Sequence, residues 1–77
     1  MPDIVILEMH KVINVDTTGL DALEALLHTL KKRGGRLILA ELNMQPLSLI
    51  RRSKFIEELG HENVFDDFDE AVRSAGS

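Results

Sequence analysis

Two short apolar runs, IVILEM (Ile4 to Met9) and RLILAEL (Arg36 to Leu42), constrain the fold of this chain more than any other feature. Both are rich in β-branched and large aliphatic residues. Such near-continuous runs belong to strands covered on both faces, as in parallel sheets. Between the runs the period changes. Leu20, Leu23, Leu26, Leu27 and Leu30 recur at helical spacing, with Asp21, Glu24, His28 and Lys31 largely on the other side. Lys31, Lys32 and Arg33 crowd the last turn, where positive charge suits the helix dipole. Gly34 and Gly35 then supply the left-handed residues that commonly end a helix. Strand, helix and parallel strand in this order make a βαβ unit.

The second half continues the alternation. Pro46 suits the first turn of a helix whose apolar side is Leu47, Leu49 and Ile50. Phe55 to Leu59 predict a short helical turn stopped by Gly60, and Val64 with Phe65 a short third strand. Asp67 and Glu70 are placed to cap a last helix, Phe68 to Ala75, with Ser74 to Ser77 expected to fray. The reading is a single α/β domain over residues 1–77, β-α-β-α-β-α, with a mostly parallel sheet. So few elements predict a sheet poorly covered at one edge. The chain is therefore expected to be an incomplete domain, or one completed by another chain, and not to bury its sheet as a monomer.

Composition excludes several functions. A 77-residue chain buries only a little over about 60% of its unfolded surface, so stability is limited. Three Phe, no Trp, no Tyr and a net charge of -4 argue against a nucleic-acid partner, which needs stacking rings and basic surfaces. With no cysteine there is no disulfide, thiolate metal site or thiol nucleophile. No apolar run approaches the ~20 residues of a membrane span. The start, MPDIVILEMHK, lacks the basic region and cleavage site of a signal peptide. The chain by itself reads as soluble, with room for it to belong to a larger membrane protein. His10, His28 and His61 show no helical ligand spacing, so no metal site is expected. Ser48 and Ser53 have no evident base, and Asp66, Asp67, Asp69 and Glu70 read as turn and cap residues. Phosphate-cradling glycine motifs are absent. Neither an enzyme nor a cofactor is expected.

The remaining feature is NVDTTGLDAL, Asn14 to Leu23. An acid, two hydroxyls and a glycine at a strand-to-helix junction make a helix cap, and Thr18 with Asp21 fits the hydroxyl-x-x-acid pattern. A helix N-terminus also favours anions, so a cap and a switch surface are compatible. Asp16, Thr17, Thr18, Gly19 and Leu20 resemble the D-S-S-G-L signature of STAS domains. That family includes the anti-sigma-factor antagonists and the C-terminal domains of SulP-type anion transporters. The resemblance implies that Thr18 corresponds to the phospho-acceptor hydroxyl of the antagonists. Gln45-Pro46-Leu47, Arg51-Arg52-Ser53 and Leu59-Gly60 followed by Asn63-Val64-Phe65 resemble the SulP branch. Lys54 departs from it, standing where the family often has a helix-ending glycine.

The resemblance runs from Ile4 to Ala75, and roughly the first two-fifths of the family fold has no counterpart. It implies a regulatory, protein-interaction domain on the cytoplasmic side of a transporter for sulfate or a related anion. Asp16 to Asp21 form the implied site. The implied partners are the membrane domain of the same transporter, a second copy of the domain or a regulatory protein. Nucleotide binding is a family property for which no site can be placed. The alternative is a free-standing anti-sigma-factor antagonist regulated by phosphorylation at Thr18. Charge is also segregated: seven of the nine basic residues lie between Lys31 and Lys54, and seven acids between Glu57 and Glu70. Two accounts fit, solvated helix ends with acidic caps or a basic face towards an anionic membrane surface.

Overall fold

The computed structural model describes residues 3–76. Three strands, β1 (Ile4–Glu8), β2 (Arg36–Ala40) and β3 (Val64–Phe65), form one parallel sheet in the order β1-β2-β3. Helix α1 (Thr17–Lys32) links β1 to β2. Helices α2 (Met44–Arg52) and α3 (Phe55–Leu59), followed by a 3-10 turn (His61–Asn63), link β2 to β3, and α4 (Phe68–Ala75) closes the chain. The expected α/β order and parallel sheet are therefore present.

Strand period divides the core. Leu37 and Leu39 of β2 join Leu27, Leu30, Ile50, Phe55, Ile56 and Leu59 on the side of α1, α2 and α3. Ile38 and Ala40 point the other way and meet Ala71 of α4, flanked by Phe65 and Phe68. The last four of the five residues of β2 are 0–1% exposed. At about 1.5–3 kcal/mol for each large aliphatic side chain, this strand is the best-covered part of the molecule. Coverage is thinner at β1, one of the two edge strands. Its middle residues Val5, Ile6 and Leu7 are half-buried, and Ile4 is 43% exposed. The central strand is thus buried within one chain, while β1 remains partly open.

Helix α1 ends as its glycines require. Gly35 N–H donates to Leu30 O at 2.7 Å and Gly34 N–H to Lys31 O at 3.0 Å, the paired bonds of a Schellman stop. Gly34 holds φ at 72°. Arg36 N–H then donates to Asp3 O at 2.8 Å, which starts the β1-β2 ladder.

Three boundaries differ from the sequence reading. β2 ends at Ala40 rather than Leu42, because Glu41 turns the chain with φ 59°. Its N–H reaches Phe65 O at 3.0 Å, and its carboxylate accepts from Phe68 N–H at 3.1 Å, so it fastens both β3 and the start of α4. Helix α2 ends without a left-handed residue. Ser53 swings to ψ 161° while its Oγ donates to Ile50 O at 2.7 Å, so Lys54 keeps ordinary helical angles. Ser74 is anchored instead of frayed, because Arg36 donates to its Oγ at 2.9 Å and its carbonyl at 3.3 Å. Ser77 lies outside the described residues.

Candidate functional site

The segment between β1 and α1 crosses the carboxyl end of the sheet, where open α/β folds place their sites. Two side-chain amides at the opening of α2 hold it there. Asn43 Nδ2 donates to the carbonyls of His10 and Val12, each at 2.9 Å. Gln45 takes Val15 N–H on Oε1 at 2.8 Å and returns a bond from Nε2 to Val15 O at 3.0 Å. Backbone groups that would otherwise face water are thereby fixed, and Met9 and Val15 can point inward with only 7% and 8% exposure. A concavity of about 380 Å³ opens beside them, lined by Met9, Val12, Asn14, Val15, Asp16, Gly19 and Leu23.

Asp16 is the residue that opens α1. It sits in extended conformation and its Oδ1 accepts from Gly19 N–H at 2.9 Å, while its carbonyl accepts from Leu20 N–H at 2.9 Å. Of the residues that suit a cap, Asp16 takes the role, and Thr18 with Asp21 does not. Thr17 and Thr18 are already the first two helical residues, and their N–H groups have no partner within the helix. Asp21 lies one turn further on, exposed.

The six residues of the motif do not form one surface. Asp16, Thr17, Thr18 and Asp21 are exposed, whereas Gly19 and Leu20 are half-buried. Leu20 packs against the core of its own chain, and a methyl group at Gly19 would stand 3.2 Å from Val15 Cγ1. Hydroxyls and carboxylates therefore face outward on a helix tip whose glycine and leucine seat it on the domain. Val12, 37% exposed, and Ile13, 65%, lie on the loop that leads into this tip, and Met44, 88%, stands between the two amides that clamp that loop. These are three of the five exposed large hydrophobics among the described residues.

Asn43 and Gln45 escaped the sequence reading as functional supports. The only signal for them was a pair of side-chain amides flanking a helix start. The basic cluster is not one free face. Lys31 donates to Glu58 O at 2.8 Å, Arg33 pairs with Asp3 at 3.3 Å, and half-buried Arg36 bonds Asn63 at 2.6 Å besides Ser74. His28 meets Glu58 at 2.7 Å, whereas His10 lies near both Glu8 and Glu41. No helix among the described residues is long and apolar enough to cross a membrane.

Comparison with known proteins agrees with this geometry. The family model described as STAS domain matches residues 2–71. This chain belongs to the STAS domain family. Its STAS relatives include Sulfate transporter 1.1 of Arabidopsis thaliana, 40% identical across 88% of this chain and 10% of the relative. High affinity sulfate transporter 1 of Stylosanthes hamata is 36% identical across 99% of this chain and 12% of its own length. The crystal structure of a sulfate transporter family protein from Wolinella succinogenes superposes with a TM-score of 0.88 at 37% identity. That match covers 95% of this chain and 60% of the solved one. The STAS domain described here thus spans about a tenth of the transporters that it matches.

Proposed function

We propose that this STAS domain is the regulatory, protein-interaction module of a SulP-type anion transporter, on the cytoplasmic side of the cell membrane. Transport of sulfate or a related anion belongs to membrane helices elsewhere in the polypeptide, and this module itself performs no catalysis. Its working surface is the opening of α1, and its partner is the membrane domain of the same transporter. The observation that carries the reading is that the clamped loop leading into the exposed Asp16, Thr17 and Thr18 leaves Val12 and Ile13 exposed, as its clamp leaves Met44 between Asn43 and Gln45. An apolar rim beside a polar helix tip suits a partner surface, because burying it removes apolar area from water while the tip fixes orientation. Kinship with named sulfate transporters supports the choice of partner.

The test is sulfate uptake by cells expressing the longer protein that carries this domain. Ile13→Asp combined with Met44→Asp is expected to lower uptake about tenfold, a coupling loss of about 1.4 kcal/mol, at unchanged protein level in the membrane. Glu62→Gln, on the 3-10 turn, should leave uptake as it was. Equal uptake by the double variant and the unmodified protein would refute the assignment of this surface.

A further inference from the structure

We propose that Glu8, His10 and Glu41 bind a divalent transition-metal ion of the zinc type. The three come from two strand ends that the sheet brings together. Glu8 closes β1 and pairs in register with Ala40, so Glu41 follows directly on the neighbouring strand. His10 lies two residues beyond Glu8. One ligand atom from each residue lies within 4.8 Å of the other two. His10 Nδ1 contacts Glu8 Oε1 and stands 4.0 Å from Glu41 Oε1. Ligands at zinc's usual bond length of about 2.0–2.2 Å stand roughly 3.3 Å apart in a tetrahedron. Reaching that spacing needs a shift of less than about 1 Å in that pair. Side chains that are 34–47% exposed make it by small torsional changes.

The backbone that carries the donors is already fixed. Met9 N–H donates to Ala40 O at 2.9 Å, Glu41 N–H to Phe65 O at 3.0 Å, and Asn43 Nδ2 to His10 O at 2.9 Å. Glu41 Oε2 accepts from Phe68 N–H at 3.1 Å, which directs Oε1 to His10. Little ordering is therefore left for the metal to impose. The donor set also selects the ion. An imidazole nitrogen between two carboxylates suits zinc and its neighbours, whereas magnesium and calcium prefer oxygen alone. The two carboxylates supply negative charge that a divalent ion offsets. With the site at the rim, water completes the coordination.

Calorimetric titration of the 77-residue chain with zinc chloride, and separately with magnesium chloride, tests the proposal. One zinc per chain is expected, with magnesium at least tenfold weaker. His10→Gln and Glu41→Gln should each weaken zinc binding at least tenfold. His61→Gln, on an exposed turn and outside the trio, should not change it. His10→Gln decides if Glu41→Gln disturbs the turn, since the His10 side chain serves no backbone bond among the described residues. Absence of saturable zinc binding would overturn the site, as would unchanged binding by His10→Gln or an equal loss with His61→Gln.

Discussion

Phe55→Ala is expected to remove a large share of the chain's stability. Phe55 is 0% exposed and heads the fully buried side chains by volume, on the face where Leu37, Leu39 and Ile50 meet it. Truncating a buried Phe removes its transfer free energy and leaves a cavity, a loss of about 3–5 kcal/mol. A chain of 77 residues has a total stability of only about 4–12 kcal/mol. For a domain of this size each kcal/mol lowers the melting temperature by about 4–8 °C, so the fall should exceed about 12 °C. Met44→Ala, at an 88% exposed position, should change stability by no more than about 0.5 kcal/mol. Thermal melts followed by circular dichroism check both. Similar melting of the two variants would mean that Phe55 does not hold α3 to the sheet.

The adjacent glycines after α1 should respond in opposite order to their backbone angles. Gly34 has the left-handed φ of 72°, but a Cβ there would meet nothing within 4 Å. Gly34→Ala should therefore cost only the conformational penalty, about 1 kcal/mol, with somewhat more for valine. A Cβ on Gly35 would stand 2.4 Å from Asp3 O and 3.1 Å from Leu30 O, both backbone atoms. It could be accommodated only by prising the end of α1 from the start of β1. Overpacking of this kind costs about 1–3 kcal/mol, and here the Arg36 N–H bond to Asp3 O is put at risk as well. Gly35→Ala should thus lower the melting temperature more than Gly34→Ala. The reverse order would show that the helix stop, rather than the close approach, is the limiting contact.

Much of the fold was legible because its signals are local. The two apolar runs became β1 and β2, the leucine spacing became α1, and Gly60, at φ 94°, ends α3 where glycine was expected to. Asp67 likewise caps α4, accepting from Asp69 N–H at 3.1 Å. What escaped depends on distant partners. Glu41 halts β2 early because Phe65 and Phe68, more than twenty residues on, hold it in a left-handed conformation. Ser74 is ordered because Arg36 reaches it across the sheet.

The site shows the same division. Asp16, Thr17 and Thr18 all suit a cap by type, so local chemistry alone leaves the choice between them open. The choice of Asp16 goes with the packing of Val15 and Leu20 on the core, which sets where the helix starts. The clamps from Asn43 and Gln45 span about thirty residues, and no periodicity reports them. Nor does spacing reveal the trio at Glu8, His10 and Glu41, because the third member arrives just past the end of another strand.

Proposed control through the tip of α1 is tested most directly by one paired measurement. The chain, unmodified and with Thr18→Glu, is titrated calorimetrically against the proposed partner, the membrane domain of a SulP-type transporter, with circular dichroism of the same samples. Thr18 is the second residue of α1, at the positive end of the helix dipole, so added negative charge there should leave helical content unchanged. Thr18→Ala should keep both stability and binding, since Asp16 carries the cap. Asp16→Ala should lose about 0.5–2 kcal/mol of stability. The prediction is an affinity at least tenfold lower for Thr18→Glu, about 1.4 kcal/mol, with its fold intact. A folded Thr18→Glu domain that binds as tightly as the unmodified one would contradict it.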